Sequence, residues 1–319
     1  MTKKKELIWV YPPNNWISNY NKTFVYGWSN PKAKLFVSVE TLHVTSLQRV
    51  KIFPNGNFAQ TIKLPKKKNI VKLIQIFNSK KKIVSRNVVF ASLRGAQRRS
   101  NLPGMKRFVR LPRRHFSTQA DPSSGGVPPR NDKGLVIIID PGHGGKEHGT
   151  HSPKGIPEKV FNLQIAKSLY KNLNSVEVGL KPTSTRRVYL TRSNDKFVSL
   201  KQRVDFAKKK KCNILISIHH NALPDNEDPL KHKGVGVYYT HDFVKPLATS
   251  LLKSISKEAK LKQHGIFKRD FAVTRPDFYT GVLIECGFLI HPTESEYIMK
   301  REVQKKIVSG IVKELTTLI

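Results

Sequence analysis

The fold of this chain is decided by residues 135–150, which read Leu-Val-Ile-Ile-Ile-Asp-Pro-Gly-His-Gly-Gly-Lys-Glu-His-Gly-Thr. The first five residues are a short, continuous apolar run rich in β-branched side chains, which is typical of a strand covered on both faces in a parallel sheet. Pro141 ends the strand, and Gly142, Gly144 and Gly145 let the backbone turn sharply. Because α/β sheets place ligands at the carboxyl ends of their strands, we expect a functional site at this loop.

Three interpretations of the loop have to be compared. A phosphate-binding loop would need a lysine followed by serine or threonine, whereas Lys146 is followed by Glu147. A tight turn with an incidental histidine is the second interpretation. The third makes His143 a metal ligand, and this requires partner ligands elsewhere in the chain.

Candidate partners occur in three later segments. Glu158 opens the segment Glu-Lys-Val-Phe-Asn-Leu-Gln-Ile-Ala, and His219 lies in the strand-like run Asn-Ile-Leu-Ile-Ser-Ile-His-His-Asn-Ala. Glu285 lies in Val-Leu-Ile-Glu-Cys-Gly-Phe. Catalytic zinc usually takes three protein ligands from His, Asp, Glu or Cys and leaves one position for water. His143, Glu158 and His219 would supply two imidazoles and one carboxylate.

These four motifs resemble the zinc-dependent N-acetylmuramoyl-L-alanine amidases of the amidase-3 type. The family pattern is Asp-Pro-Gly-His-Gly-Gly, then Glu, then Ser-Ile-His-x-Asn-Ala, then a late Glu-x-Gly-Phe, and the resemblance covers about residues 133–319. It implies one Zn²⁺ ion held by His143, Glu158 and His219, with Glu285 as the catalytic glutamate. It also implies cleavage of the amide between N-acetylmuramic acid and the L-alanine of the peptidoglycan stem peptide.

Other side chains near these motifs compete as ligands, namely Glu147, His148, His151 and His220. Successive strand residues point to opposite faces, so only one of His219 and His220 should face the metal, and the motif selects His219. By the same alternation Cys286 should point away from Glu285. Glu147 lacks the Glu-x-x-x-Asn-Leu context that Glu158 shares with the family.

Three further positions are expected to support the site. Asp140 could orient a ligating histidine by accepting its ring N–H, and Arg192 and Arg203 are expected to tie loops together. Some regulated family members carry a long inserted helix that plugs the zinc site. Only residues 223–233 stand at that place here, so we predict an open site without a plug.

The charge composition indicates which classes of partner the chain can bind. There are 58 basic and 22 acidic side chains, a formal charge of +36, which should draw the chain to polyanions. Nucleic acid, anionic lipid, an anionic wall polymer or merely a solvated lysine-rich surface are the alternatives. Aromatic residues do not interleave the lysine runs as stacking platforms would, so we favour anionic wall polymers over nucleic acid. Two cysteines do not support a disulfide framework, and we expect a monomer.

The amino terminus carries the charge of a signal peptide but not its apolar segment. No later window has the length of a membrane span. A peptidoglycan hydrolase must act in the periplasm or cell envelope, so this expected location is at odds with the lack of a visible signal peptide.

Three regions follow from the patterning. Residues 1–92 alternate in hydrophobicity, as at Leu35, Val37 and Val39, and predict a small antiparallel β-sandwich that weakly resembles bacterial immunoglobulin-like modules. This module would bind wall, position the enzyme or act as a spacer. Residues 93–132 are basic and rich in Pro, Gly and Ser, which predicts a flexible linker. Its arginine-rich part resembles peptides encoded by inserted repetitive palindromic elements, with an anion-binding arm as the alternative.

Residues 133–319 alternate strand-like and helix-like segments. This predicts an α/β catalytic domain with a mixed or mostly parallel sheet and helices on both faces. Strands are expected over 135–139, 187–191, 214–218, 234–239 and 282–285. Helices are expected over 158–173, from a capping box at Ser199 with Leu200 facing inward, over about 244–259, and from a second capping box at Thr293 to the end.

The sequence therefore predicts a wall amidase acting by zinc-activated water. A zinc hydrolase of another amide is the alternative among enzymes, although the chain has no His-Glu-x-x-His motif. A non-catalytic protein that binds cell wall or polyanions is the alternative from another class.

Overall fold

The computed structural model describes residues 7–40, 45–91, 134–175 and 186–317. The predicted linker, residues 93–132, lies outside these ranges. Within them the chain forms an amino-terminal β-sandwich followed by an α/β unit. None of the described helices is both long enough and apolar enough to cross a membrane.

The β-sandwich consists of two sheets that face each other across a common core. One sheet has the order β1-β3-β6 and the other the order β2-β8-β7-β4-β5, and all pairs are antiparallel except β2 with β8. Val25, Phe58 and Leu73 are among the fully buried side chains between them. The strands are β1 (Ile8–Tyr11), β2 (Trp16–Ser18), β3 (Lys22–Trp28), β4 (Lys34–Glu40), β5 (Thr45–Val50), β6 (Asn57–Lys63), β7 (Lys68–Phe77) and β8 (Lys80–Phe90).

Strand β3 is buried on both faces, because the three-stranded sheet is covered by the sandwich core on one side and by the α/β unit on the other. Val25 points into the sandwich core, whereas Phe24 and Tyr26 pack with Ala59 and with Ile290 of the α/β unit. The sandwich is therefore docked on the α/β unit through an apolar face, which the sequence interpretation did not anticipate.

The α/β unit is built on a six-stranded mixed sheet of order β10-β9-β11-β14-β12-β13. Every neighbouring pair is parallel except β12 with β14, which confirms the predicted mostly parallel sheet. The strands are β9 (Leu135–Pro141), β10 (Arg186–Leu190), β11 (Ile214–Asn221), β12 (Val235–Tyr239), β13 (Gln263–Lys268) and β14 (Thr280–Phe288). The helices are α1 (Glu158–Ser175), α2 (Leu200–Lys209), α3 (Lys245–Ala259), α4 (Glu294–Ile298) and α5 (Arg301–Thr317).

Helices cover both faces of this sheet, as predicted. Ile137 and Ile139 of β9 face the layer formed by α1, α3 and α5, whereas Ile138 faces α2 and packs with Ala207. All three isoleucines are fully buried, and each contributes roughly 1.5–3 kcal/mol relative to an exposed side chain. Strand β9 thus lies at the centre of the core, and its carboxyl end lies at the same end of the sheet as the carboxyl ends of its parallel neighbours β10 and β11.

Two local predictions about helices were wrong. The capping box of Ser199 and Gln202 opens α2 as expected, but Leu200 is 60% exposed and Arg203 is buried instead. The side chain of Thr293 makes no capping bond. Instead Nδ1 of His291 accepts from the backbone N–H of Thr293 at 3.3 Å and of Glu294 at 3.2 Å.

The final helix is also divided, and the sheet has one strand more than predicted. Glu294 turns its carboxylate inward, where it accepts from the backbone N–H of Gly234 and of Phe288 at 2.9 Å each. Glu294 is the first residue of the short helix α4, which ends at Ile298 before α5 begins. Edge strand β13 was missed because its sequence, Gln-His-Gly-Ile-Phe-Lys, has little alternation.

Candidate active site

The three predicted metal ligands meet at the carboxyl end of the sheet. One possible ligand atom from each of His143, Glu158 and His219 lies within 4.8 Å of the other two. Nε2 of His143 is 3.2 Å from Oε2 of Glu158, and Nδ1 of His219 is 3.2 Å from Oε1 of the same carboxylate. The exposed fractions of the two histidine side chains are 29% and 19%, so the cluster is open to solvent.

Each member of this cluster is placed by the end of a regular element. His143 follows β9 in a left-handed conformation with φ 59°, Glu158 is the first residue of α1, and His219 lies near the end of β11. The helix start also favours a negative side chain. The interaction of these elements, rather than any one of them, brings the three ligands together.

Gly142 makes this approach possible, because a Cβ atom at that position would overlap the imidazole ring of His219. We therefore expect Gly142→Ala to displace the ring and weaken zinc binding about 10- to 100-fold, the range seen when groups that orient metal ligands are lost. Chelator competition on the purified variant measures this. An unchanged affinity would show that His219 does not hold the metal in this position.

Two buried arginines brace the loop that carries His143, as predicted. Arg192 donates from Nε to the carbonyl of Pro141 at 3.0 Å and from a terminal nitrogen to that of Gly142 at 2.8 Å. Arg203 donates to the carbonyls of Pro141 at 2.8 Å and His143 at 2.9 Å. These bonds fix the backbone on both sides of His143.

The expectation that Asp140 orients a ligating histidine was wrong. Its buried carboxylate accepts from Thr191 at 2.5 Å, from Ser217 at 2.8 Å and from Arg203. Burial raises the pKa of Asp140, but the charge of Arg203 and these hydrogen bonds outweigh that effect and hold the pKa below its ordinary value. Asp140 therefore anchors the bracing arginine instead of a ligand.

Removing this anchor should destabilise the fold. We expect Arg203→Ala to cost about 3–5 kcal/mol in the free energy of unfolding, because it leaves the buried Asp140 carboxylate without its counter-charge. Urea unfolding measures the loss, and Lys201→Ala, which breaks an exposed ion pair on the same helix, should change stability little. Folding lowers the pKa of Asp140, so the ionised carboxylate stabilises the folded protein above the ordinary aspartate pKa. This stabilisation is lost as the pH falls from that value through the lowered pKa of the folded state.

The structure separates the competing ligands from the cluster. His220 turns to the other side of β11, where Nδ1 lies 2.8 Å from Oδ1 of Asn162 and the ring meets Phe161. Burial lowers the pKa of His220 to about 4, so the ring is uncharged at neutral pH. The rings of His148 and His151 contact each other with centroids 5.8 Å apart, and neither these two residues nor Glu147 belong to the cluster.

Glu285 lies on the same face of the sheet as His219. In the β-register it is the neighbour of His219 on β11 and of Gly236 on β12. Its Oε2 atom is buried and has no hydrogen-bond partner among the described residues. Burial, followed by the charge of Glu158, raises the pKa of Glu285 well above its ordinary value. A buried carboxyl oxygen without a hydrogen-bond partner is costly to the fold, which favours a role in chemistry. Cys286 faces the opposite core, as predicted.

Three hydrogen bonds that support Glu158 were not predicted. Its Oε1 atom accepts from Nδ2 of Asn162 at 2.9 Å and from the backbone N–H of His220 at 3.0 Å, and its Oε2 atom accepts from the backbone N–H of Thr150 at 3.0 Å. Burial raises the pKa of Glu158, but its bonds to His143 and His219 and their charges lower it well below the ordinary value. Asn162 was within reach of sequence reasoning, since it stands four residues after Glu158 on one helix face. Thr150 and His220 bond Glu158 through their backbone N–H groups, so no residue type in the sequence indicates these two contacts.

The segment from residue 223 to residue 233 forms turns and contains no helix. This segment therefore places no helix over His143, Glu158 and His219.

Comparison with known proteins gives a consistent result. A family model described as N-acetylmuramoyl-L-alanine amidase matches residues 137–317. The probable cell wall amidase LytH of Staphylococcus epidermidis is 35% identical over 185 residues, which are 56% of this chain and 58% of that protein. LytH of Staphylococcus aureus is 30% identical over 182 residues, 56% of each chain. The chain thus spans less than two thirds of the length of these curated relatives.

Solved structures match over the same share of the chain. The N-acetylmuramoyl-L-alanine amidase from Clostridium difficile 630 is 32% identical, with a TM-score of 0.53 over 58% of this chain and 96% of that one. The catalytic domain of CwlV, an N-acetylmuramoyl-L-alanine amidase from Bacillus (Paenibacillus) polymyxa var. colistinus, is 31% identical, with a TM-score of 0.52 over 58% and 97%.

Proposed function

Because the chain belongs to the N-acetylmuramoyl-L-alanine amidase family, we propose that it hydrolyses the amide bond between N-acetylmuramic acid and the L-alanine of the peptidoglycan stem peptide. One observation carries the proposal above others. The cluster of His143, Glu158 and His219 stands beside Glu285, a half-buried residue whose buried Oε2 atom has no hydrogen-bond partner among the described residues.

The donor set fits one Zn²⁺ ion. Two imidazoles and one carboxylate are a common hydrolytic combination, and their ligand atoms already lie within 4.8 Å of one another. Burial lowers the pKa of His219, which favours the neutral ring that a metal requires. When bound, zinc lowers the pKa of a water molecule toward neutrality and polarises the scissile carbonyl.

Glu285 is assigned the proton transfers. Hydrolysis of an amide needs a group that takes a proton from the attacking water and gives it to the departing nitrogen. A carboxyl group whose pKa is raised, as burial and Glu158 raise that of Glu285, holds such a proton better than an exposed glutamate. His220 and Asn162 act on Glu158 and not on the substrate.

The cellular setting belongs to the same proposal. Relatives described as cell wall amidases support action outside the cytoplasm, and we place this protein in the periplasm or cell envelope. Peptidoglycan is the proposed substrate, and binding of anionic wall polymers by the basic chain remains a prediction, as does the monomeric state.

Mass spectrometry of digested peptidoglycan tests the function. Incubation of the full chain and zinc with purified peptidoglycan should release stem peptides that begin with free L-alanine and leave intact glycan strands. Cuts inside the peptide, or released acetate, would show a zinc hydrolase of another amide. No product at all, together with tight binding to wall or polyanions, would identify a binding protein.

A further inference from the structure

The outer face of the three-stranded sheet contacts the α/β unit where the site-bearing strands end. It reaches the loop that follows β9 and carries His143, the loop that follows β11 and His219, and the loop that follows β14 and Glu285. The sandwich makes a contact with each of these three loops.

Tyr26 of β3 makes the first contact. Its hydroxyl donates to the carbonyl of His151 at 3.1 Å. The backbone N–H of the preceding residue, Thr150, donates to Oε2 of Glu158 at 3.0 Å. Tyr26 is 3% exposed, and burial raises its pKa, so the hydroxyl stays a donor. One side chain of the sandwich therefore holds the residue next to Thr150, and the backbone N–H of Thr150 bonds a predicted metal ligand.

Gly149 shows how little room this loop has. A Cβ atom at Gly149 would collide with Oε2 of Glu158 and lie 2.7 Å from the ring of His143. The loop that Tyr26 holds is thus in direct contact with two of the three ligands, and a shift of the loop would be felt at both.

Asp225 makes the second contact, four residues after the end of β11. Its carboxylate is buried and accepts from the hydroxyl of Tyr11, from Nε1 of Trp16 at 3.0 Å and from Oγ1 of Thr23 at 3.4 Å. All three donors belong to the sandwich. Leu223 packs beside Tyr11 in the same interface. The loop after His219 is therefore fastened to the sandwich through Asp225.

Two asparagines make the third contact. Nδ2 of Asn55 and of Asn57 donate to the carbonyl of Pro292 at 2.9 and 2.7 Å. Ile290, in the same loop, is buried against Phe24 and Tyr26. This loop follows Phe288, the last residue of the strand that carries Glu285.

We propose that the amino-terminal sandwich is a positioning element of the active site and that Tyr26 and Asp225 are its positioning residues. The inference rests on the proposed function. Loops are the least stable parts of a fold, and a misplacement of about 1 Å in an active site can cost on the order of 100-fold in rate. A sandwich that holds all three loops at once limits such misplacement, which neither a spacer nor a detached wall-binding module would do.

The test compares three full-length variants with the wild type. Tyr26→Phe removes one hydroxyl, Asp225→Ala removes the three-fold acceptor, and Tyr20→Phe is the matched control on an exposed residue of the same sandwich. Amide hydrogen exchange, zinc affinity by chelator competition, and kcat and KM on peptidoglycan are measured for each. Thermal unfolding confirms that each variant is folded.

For Tyr26→Phe we expect exchange over residues 148–152 to rise about 10-fold, because an opened loop loses local protection, and zinc affinity to fall several-fold. For Asp225→Ala we expect exchange over residues 222–233 to rise similarly, with zinc affinity kept and kcat/KM lowered about 5- to 30-fold. If Asp225→Ala does not fold, Tyr11→Phe, which keeps the ring and the carboxylate, should show the same changes more weakly.

The inference would be overturned if Tyr26→Phe kept the hydrogen exchange and zinc affinity of the wild type and if the Asp225 or Tyr11 variant kept its hydrogen exchange. This holds whatever the activity of these variants. Changes of equal size in Tyr20→Phe would overturn it as well. If the wild type releases no peptide but the exchange and zinc effects are present, the proposed function fails and the positioning role stands.

Discussion

Replacement of Glu285 by glutamine is expected to lower peptide release by about 10²- to 10⁴-fold, the range that general acid–base groups contribute. Glutamine has nearly the same shape, so the site is preserved, but its amide cannot take the proton of the attacking water. Glu285 is not one of the three clustered ligands, so zinc affinity should stay close to that of the wild type. Mass spectrometry of released peptides and chelator competition measure the two quantities.

The free energy of unfolding of the metal-free protein is a second quantity that Glu285→Gln should affect in a predictable way. The charge of Glu158 is one cause of the raised pKa of Glu285, so removing the ionisable group relieves a repulsion and should not destabilise the protein. Glu147→Gln is the matched control, since it makes the same change in the nearby loop outside the cluster. Activity kept in Glu285→Gln, or lost in Glu147→Gln, would mean that the proton transfers are assigned to the wrong carboxylate.

The parts of the site that sequence reasoning found are those specified by local motifs. The strand over residues 135–139 is apolar without interruption, and Pro141 with its glycines marks where it ends. His219 and Glu285 also stand at strand ends, and parallel strands bring their carboxyl ends to one edge of a sheet. The resemblance of these motifs to the amidase family, together with strand ends and alternation, therefore predicted which side chains meet.

The docking of the sandwich was not predicted, although one signal was present. Phe24, Val25 and Tyr26 are consecutive, so β3 has apolar side chains on both faces and needs cover on both. Asp225 has no such signal. In Leu-Pro-Asp-Asn it reads as a turn residue, and only the distant Tyr11 and Trp16 explain its burial.

Helix starts show the same division between local and tertiary causes. At Ser199 the two reciprocal bonds of the capping box lie within four residues, so the pattern sufficed. At Thr293 the same pattern failed, because Glu294 bonds Gly234 and Phe288. In addition, His291 accepts the backbone N–H of Thr293, which the side chain of Glu296 would accept in a capping box. These competitors come from packing, which no window of the sequence contains.

Removal of the metal is expected to abolish peptide release, and added zinc should restore it. Zinc that binds only the folded protein stabilises it by about 4 kcal/mol at 1,000 times its Kd, so the Tm of the α/β unit should rise by several degrees when zinc is added. His219→Ala should lose both the activity and the shift in Tm, whereas His148→Ala, outside the cluster, should keep both. Loss of zinc binding in His148→Ala would show that the ligand set is wrong.

Zinc affinity is expected to fall as the pH is lowered. Burial lowers the pKa of His143, but its hydrogen bond to Glu158 and the charges of Glu158 and Glu147 outweigh that effect, so the pKa is raised in the metal-free protein. Only the neutral ring binds a metal. Protons therefore compete with zinc at His143 from a pH above the ordinary histidine pKa downward, and zinc affinity should fall as the pH is lowered through that range. Chelator competition across pH measures the fall. An affinity that stays constant until the carboxylates titrate would mean that no histidine of the cluster holds the ion.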